Sequence, residues 1–193
     1  MKKVLVKLKK YLPILLVIFL CIVSVYYFLG ELGGNYIRTA YSLKMHQLEF
    51  NQLSNKFLNQ KEIRNIQISV GFLNSWESVN NCSRYPKKSD TQWECTVGDY
   101  PKISEVYLKT IDEVLKYQNI QKEEYLFYVN FLKKYHFNGI DKDDSKRYVE
   151  LSDKLSGLRY YEQENIEDFH ADSNYLSVKK INSHWFTFGT DWN

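Results

Sequence analysis

The sequence predicts an α+β protein, in which a single N-terminal transmembrane helix precedes a small domain of helices packed on an antiparallel sheet. Three observations support this fold class. Positions 11–30 hold twenty residues without a charge. Beyond them, three stretches carry apolar residues at three- and four-residue spacing, which is typical of helices with one buried face. Near position 66 and at the C-terminus, apolar and polar residues alternate instead, as they do in half-buried strands.

The uncharged run, residues 11–30, predicts a helix that crosses a lipid bilayer. About 30 Å of hydrocarbon requires roughly 20 apolar residues at 1.5 Å per residue, and the run has that length. Five lysines precede it, whereas the first basic residue after it is Arg38. Because positive charge marks the cytoplasmic side, we expect residues 1–10 to form a cytoplasmic basic tail. The chain beyond residue 31 should then be extracytoplasmic, in the periplasm of a bacterial cell.

A cleaved signal peptide is the alternative interpretation of the same segment. The apolar core of a signal peptide spans about 7 to 15 residues and ends at a small-x-small site. Here the run is longer and residues 25–29 are large, so only the region from Gly30 to Gly34 could be cut. We therefore favour an uncleaved anchor. Cys21 does not follow small residues, which argues against lipid modification of its thiol.

Charge and composition limit the function classes of the extracytoplasmic part. Of the 26 basic residues, 21 lie beyond the anchor together with all 23 acidic ones, so this part is almost neutral. Without a basic field, nucleic acid is not an expected partner. Few glycines and prolines and many aromatic residues, including 16 Tyr and 11 Phe, argue for one folded domain. Most of these rings should fill a core, and a fraction could cover a partner-binding surface.

Two cysteines beyond the anchor, Cys82 and Cys95, stand thirteen positions apart in a polar segment. An oxidising compartment would join them. A metal pair or a redox dithiol is the alternative, but the spacing is not Cys-x-x-Cys and no histidine is close in sequence. We therefore predict a structural disulfide, which would stabilise the fold by roughly 3 kcal/mol in the chain-entropy model.

Residues 31–60 are predicted to form a membrane-proximal helix, followed by an extracytoplasmic α+β domain over residues 61–193. Between positions 35 and 60 the chain lacks Gly and Pro and carries apolar residues at helical spacing. The simplest interpretation is a stalk that packs on the domain. A short coiled-coil dimer is the alternative, but fewer than three clean heptads support it.

A strand and a long loop should follow the stalk. Alternation from Ile66 to Phe72 predicts a strand, and residues 73–100 then turn polar, with a short strand near residues 93–97. An unstructured loop of this length is unusual unless it is tied or functional, and the disulfide supplies the tie. Three aromatic residues in this loop are candidate partner-binding residues or, alternatively, a roof over the core: Trp76, Tyr85 and Trp93.

Two helices are predicted next. Apolar residues recur at three- and four-residue spacing from Ile103 to Leu115, after Pro101, and proline is common in the first turn of a helix. Asn119 should end this helix. A second helix is expected over residues 121–137, with Asn138–Gly139 as its C-terminal stop.

The last third of the chain should contain a loop, an ambiguous segment and a hairpin. Residues 141–147 are charged and are expected to form an exposed loop. Residues 148–161 could form a helix up to Leu155 followed by a strand, which we favour, or two short strands that meet near Ser156–Gly157. The β-rich C-terminal residues predict a hairpin that turns at Asn182–Ser183.

The sequence predicts no catalytic, cofactor or metal site. Asp141, Asp143 and Asp144 suggest a calcium loop, but Lys146 and Ser152 replace the glycine and the carboxylate that an EF-hand needs. The four histidines lack the spacing of metal ligands. Motifs for a nucleophilic serine and for a phosphate-binding loop are also missing, and scattered carboxylates carry no weight by themselves.

These features favour a single-pass, membrane-anchored protein that acts by binding and not as an enzyme. It would contact the lipid bilayer through residues 11–30 and a protein partner in the cell envelope through its exterior domain, as a subunit of an envelope complex. An immunity-like role belongs to the same class. The alternative is a membrane-anchored hydrolase that acts on envelope polymers or lipids. Both interpretations rest on the general plan of the chain.

Overall fold

The structure is a computed structural model that describes Ile14 and residues 16–21, 34–68, 76–85, 92–98, 103–153, 156–164 and 175–190. The chain divides into two compact units, residues 1–38 and 39–193. In the first unit, Ile14 and residues 16–21 are helical and have exposed side chains. All of the predicted basic tail and most of the predicted transmembrane segment, residues 11–30, lie outside the described residues. No helix in the described part is both long and apolar enough to span a membrane.

Four helices are described beyond residue 33: α1 Gly34–Met45, α2 Gln47–Asn59, α3 Ile111–Tyr117 and α4 Lys122–Tyr135. The first two occupy most of the segment predicted as one helix over residues 31–60, and the chain bends between them at His46, where φ is −126°. The second predicted helix, residues 121–137, is confirmed as α4. It ends at His136, whose φ of 59° is left-handed, and not at Asn138–Gly139.

The described strands form one antiparallel sheet of ten strands in the order β5-β4-β3-β2-β1-β6-β7-β8-β10-β9. Their bounds are β1 Asn65–Gln67, β2 Glu77–Val79, β3 Cys82–Arg84, β4 Trp93–Val97, β5 Ser104–Leu108, β6 Gly139–Asp143, β7 Tyr148–Asp153, β8 Ser156–Tyr161, β9 Tyr175–Lys180 and β10 Trp185–Thr190. The prediction of an α+β fold with an antiparallel sheet is therefore confirmed.

The chain builds this sheet in two halves that meet at β1 and β6. From β1 it runs outward through β2, β3 and β4 to β5 at one edge. The helices α3 and α4 then carry it back to the centre, where β6 pairs with β1 and places Ile140 opposite Ile66. The second half runs through β7 and β8 to the other edge. There β9 and β10 form the hairpin predicted at the C-terminus.

The helices α2, α3 and α4 cover one face of the sheet, and the apolar core lies between the two layers. Phe50 of α2 contacts Phe131 of α4 and Trp185 of β10, with ring centroids 5.0 and 5.9 Å apart. The indole N–H of Trp185 donates to Oδ1 of Asn51 at 2.7 Å, so a hydrogen bond also ties α2 to β10. Burial of each large ring stabilises the fold by about 1.5–3 kcal/mol.

The helix predicted from Ile103 to Leu115 is wrong in its first half. Residues 104–108 form β5, an edge strand in which alternate residues pack against the core. The helix α3 begins only after Thr110, whose side chain accepts a hydrogen bond from the backbone N–H of Glu113. The apolar residues from Ile103 to Leu115 therefore belong to two elements, the strand β5 and the helix α3, and not to one helix. Pro101 lies outside the described residues.

Within residues 148–161, Tyr148–Asp153 and Ser156–Tyr161 form the antiparallel strands β7 and β8. The helix favoured up to Leu155 is therefore wrong, and the two-strand alternative is confirmed. Val149 and Leu151 are buried in the core while Tyr148, Glu150 and Ser152 are more exposed on the other face, and this period of two suits only a strand. The loop predicted at residues 141–147 is shorter than expected, because its first three residues belong to β6.

The predicted disulfide between Cys82 and Cys95 is present, and the two residues lie directly opposite each other in β3 and β4. Much of the described part of residues 73–100 is strand and not loop, because β2, β3 and β4 occupy it. The last of these is the short strand predicted near its end. β1 confirms the start of the strand predicted from Ile66 to Phe72, although it ends at Gln67, before Ile68; residues 69–72 lie outside the described residues.

Gly157 of β8 has no room for a side chain. A Cβ added there would lie 2.3 Å from Cζ of Phe188 and 2.5 Å from the carbonyl oxygen of Leu151, and a paired backbone oxygen has little freedom to move. Overpacking of this kind costs about 1–3 kcal/mol. We expect Gly157→Ala to lower the free energy of unfolding by about that amount in urea titrations. Ser177→Ala on the exposed strand β9 should change it by less than about 0.5 kcal/mol. Equal effects would contradict the packing at β8.

Candidate functional site

A groove of about 470 Å³ opens where β1 and β6 meet, on the face of the sheet opposite the helices. Ligand-binding pockets commonly have volumes of about 300–1,000 Å³, so the groove is large enough for a small ligand. Most described residues that line it have polar side chains, namely Asn65, Gln67, Ser78, Asn80, Asn81, Ser83, Asp141 and Ser152. The other four are Ile66, Trp76, Gly139 and Ile140. A surface of this kind suits a hydrophilic ligand.

The pairing register of the strands produces the groove. Gln67 of β1 lies opposite Ser78 of β2 on one side and opposite Gly139 of β6 on the other. One strand further out, Ser83 lies opposite Ser78, and Ser152 lies opposite Gly139. Residues that are directly opposite across antiparallel strands share a face. These five residues, which we call the central row, are mostly small, so they leave a depression between larger neighbours.

Gly139 adds depth to the groove, because it has no side chain that would fill the space above its backbone. A Cβ added there would lie 3.0 Å from Oγ of Ser152 and 3.3 Å from the carbonyl oxygen of Ile66. The side chains of Ile66 and Ile140 are buried in the core, so these two residues contribute backbone to the floor. The floor therefore consists of backbone and small polar groups.

Two amide side chains at the groove hold the turn between β2 and β3. Asn80, which has a φ of 52°, accepts a hydrogen bond from the backbone N–H of Arg64 at 2.8 Å and donates one to the carbonyl oxygen of Glu62 at 2.7 Å. Asn81 donates to the carbonyl oxygen of Thr96. By contrast, within the part of the chain that the structure describes, no hydrogen bond engages the polar side chains of the central row: Gln67, Ser78, Ser83 and Ser152. All four line the groove, Ser78 at its buried base with 6% exposure, so their donors and acceptors are unused at its surface.

Of the three aromatic residues predicted to bind a partner, Trp76 lines the groove. It precedes Ser78 by two positions, which places both side chains on the same face, and it is 37% exposed. Tyr85 is exposed but is not one of the lining residues. Trp93 is only 1% exposed and faces the core, as in the alternative interpretation of these rings as a roof. Partner binding through Trp76 and Tyr85 stays a prediction.

Asp141 of β6 is the charged residue of the groove. It lies opposite Asn65 of β1 and Glu150 of β7, beside the central row. Desolvation by the surrounding protein raises the pKa of its carboxyl to about 6, although a hydrogen bond from the backbone N–H of Lys142 acts in the other direction. The negative charges of Glu150 and Asp143 raise the pKa further. The side chain is still exposed at the groove, so it can exchange its proton with water.

A buried arginine holds Glu150. The carboxylate accepts hydrogen bonds from Nη2 of Arg159 at 2.7 Å and from its Nε at 3.1 Å. The guanidinium also lies 4.3 Å from the ring centroid of Tyr148. Asp141, a carboxyl with a raised pKa, therefore stands beside a carboxylate that is fixed in place. Such an arrangement can take up and release a proton near pH 6.

The calcium loop considered from the sequence is a turn between β6 and β7. Asp143 accepts hydrogen bonds from the backbone N–H groups of Ser145 and Lys146 at 2.8 and 2.9 Å. The hydroxyl of Ser145, followed by these backbone groups, holds the pKa of Asp143 below its usual range. Nowhere in the described ranges do three His, Cys, Asp or Glu side chains come close enough together to hold a metal ion.

A second groove of about 350 Å³ lies between α2 and α4. Two of the residues that line it form an ion pair, with Nζ of Lys134 2.8 Å from Oε1 of Glu49. The hydroxyl of Tyr135 donates to the same carboxylate at 2.7 Å. These polar groups already bind one another, so we place the candidate site at the sheet groove.

The sequence pointed to one lining aromatic residue and to no member of the central row. Ser78, Ser83 and Ser152 are unremarkable polar residues when each is taken alone. They become neighbours only through the pairing of five strands, two of which meet across a long stretch of chain. The single local signal was alternation, which places Gln67 on the face opposite Ile66.

We expect Asp141→Asn to change how stability depends on pH. An aspartate in the unfolded chain titrates near 3.8, whereas Asp141 in the folded chain has a pKa of about 6, so the folded state holds the additional proton between these values. Ionisation of Asp141 therefore lowers the free energy of unfolding as the pH rises through 6. The Asn variant should be more stable than the wild type near pH 8, by about 1 kcal/mol or less because solvent screens the exposed side chain.

Below pH 3.8, the pKa of the aspartate in the unfolded chain, the wild type and the Asn variant both carry an uncharged side chain at position 141. The difference in stability between them should therefore disappear near pH 3. Urea titrations of the two proteins at both pH values measure it. A difference of the same size at both pH values would show that ionisation of Asp141 does not act on stability.

Comparison with known proteins adds no identification to this geometry. The chain matches no protein-family model, no curated protein and no solved structure.

Proposed function

We propose that this chain is a membrane-anchored, non-enzymatic binding protein whose groove receives part of a partner in the cell envelope. Residues 11–30 would cross the cell membrane, residues 1–10 would be cytoplasmic, and the chain from about residue 31 would be extracytoplasmic. The groove carries the proposal. Its central row presents donors and acceptors that no described residue uses, on the face that the described helices leave uncovered.

Two features support the orientation across the membrane. The five lysines before residue 11 favour a cytoplasmic N-terminus. The disulfide between Cys82 and Cys95 suits an oxidising compartment such as the periplasm, because reducing systems in the cytosol break such bonds. Each feature independently supports the proposal that the folded domain is extracytoplasmic.

The position of the groove on paired strands supports specific recognition. Sites on strands hold their side chains more accurately than sites on loops, and here Asn80 and Asn81 also fix the turn beside the groove. A protein partner, and membership of an envelope complex, are the expectations from the sequence. An immunity-like protein, which neutralises one partner by binding it, would need a surface of the same kind.

A photo-crosslinking residue in place of Trp76 tests whether the groove is the binding surface. We expect a benzophenone side chain at this position of the full-length chain to capture an envelope component when cells are irradiated. The same residue in place of Leu126, which is exposed on α4, should capture nothing specific because it lies on the helical layer. Identical products at both positions, or products at position 126 alone, would contradict the proposal.

The Asp141–Glu150 pair favours a second candidate function, that of a membrane-anchored hydrolase acting on envelope polymers or lipids. A carboxyl with a raised pKa can donate a proton to a leaving group while a second carboxylate acts on the opposite side of the bond. The two residues are opposite each other on neighbouring strands beside the groove. This function ranks second because Arg159 already binds Glu150.

Hydrolysis of cell-wall polymer and of lipid vesicles by the purified full-length chain tests this candidate. If the pair is catalytic, Asp141→Asn should slow hydrolysis by about 100-fold or more, because it removes the proton donor. Glu94→Gln, which changes an exposed carboxylate of β4, should leave the rate unchanged. Equal rates for Asp141→Asn and the wild type would exclude the pair as the catalytic groups.

A further inference from the structure

We propose that the ligand of the groove is a neutral oligosaccharide, that is, a short chain of uncharged sugar units. This inference rests on the proposed function and adds the chemical class of the ligand. Four properties of the groove support it: its charge, its hydrogen-bonding groups, its exposed indole ring and its position in the sheet.

The charge of the groove disfavours ionic ligands. Among the described lining residues there is no Lys, Arg or His, and Asp141 is the ionisable side chain. Phosphate and carboxylate ligands are usually bound by Arg or Lys, and a carboxylate at Asp141 would repel them. A cation would gain little, because a single exposed carboxylate attracts it weakly through water. The ligand that fits best is therefore uncharged.

The hydrogen-bonding groups of the central row match sugar hydroxyls. The three serine hydroxyls and the amide of Gln67 each combine a donor with an acceptor. A sugar hydroxyl does the same, so it can bond to any of these groups in either direction. A ligand with acceptors alone would satisfy the donors only, and polar groups that lose water without gaining a partner cost about 1–3 kcal/mol each.

Trp76 offers the flat apolar surface on which a sugar ring can lie. One face of a pyranose ring consists of C–H groups, whereas its hydroxyls project from the edge. A ring stacked on the indole of Trp76 would direct these hydroxyls towards polar groups beside it, and Ser78 lies on the same face two positions away. The combination of one aromatic face with neutral polar neighbours is the chemistry that a sugar requires.

A peptide fits the groove less well. Peptides that bind by strand addition pair with the edge of a sheet. The groove lies at the centre of the sheet over β1 and β6, where each strand is already paired on both sides. The side chains of Ile66 and Ile140 are buried on the other face, so the described lining offers no apolar pocket for peptide side chains besides the surface of Trp76.

Binding of cellotriose, maltotriose and tri-N-acetylchitotriose to the full-length chain tests the proposal. The chain should be held in lipid nanodiscs, because maltoside and glucoside detergents carry sugar head groups. We expect at least one trisaccharide to bind with a Kd of about 1 mM or lower in isothermal titration calorimetry. Trp76→Ala should weaken binding about tenfold because it removes the stacking surface, and Trp76→Phe should retain most of the affinity.

Tyr117→Ala is the matched control, because Tyr117 is also an exposed aromatic residue but lies on α3 in the helical layer. It should leave the affinity unchanged, and circular dichroism should confirm that every variant is folded. The proposal is wrong if none of the three sugars binds at concentrations up to about 10 mM, or if Trp76→Ala binds as tightly as the wild type. A protein captured at position 76 without any sugar binding would overturn the ligand class and leave the binding function standing.

Discussion

The pairing of β1 with β6 is the contact on which the rest of the structure depends. These strands come from distant parts of the chain and join the two halves of the sheet. Hydrogen bonds between the two segments continue beyond both ends of β1, from the N–H of Ile68 to the oxygen of Asn138 at 2.7 Å and from the N–H of Lys142 to the oxygen of Arg64 at 3.1 Å. A slip of one residue would turn every side chain of a strand to the other face. One register therefore fixes both the apolar core and the polar groove.

The helical layer secures this junction from the core side. Oε1 of Gln60, at the end of α2, accepts a hydrogen bond from the N–H of Ile63 at 2.9 Å, and its Nε2 donates to Glu124 of α4 at 3.1 Å. Nζ of Lys142 in β6 donates to the carbonyl oxygen of the same glutamine. The entry to β1 is thus bound to a helix and to the neighbouring strand. Consequently, the groove face needs no helix of its own to hold β1 in register.

Local patterns could be read from the sequence, whereas distant pairings could not. The helix α4, the C-terminal hairpin and the pairing of Cys82 with Cys95 depend on residues close in sequence, so spacing was enough to predict them. The segment from Ile103 to Leu115 was wrongly predicted as one helix, because the apolar residues of β5 and of α3 together follow a helical spacing. The groove could not be foreseen, because Gln67 and Gly139 become neighbours only after α3 and α4 return the chain to the centre.

Single cysteines on the two faces of the sheet provide the most direct test of an exposed groove outside the cytosol. The full-length chain should carry Cys21→Ser together with Gln67→Cys or Ser152→Cys on the groove face, or with Val149→Cys in the core. We expect a membrane-impermeant maleimide to label both groove variants in intact cells and to label the core variant only after unfolding. Labelling of the groove variants only after permeabilisation, or equal labelling of the core variant, would contradict the topology or the open face.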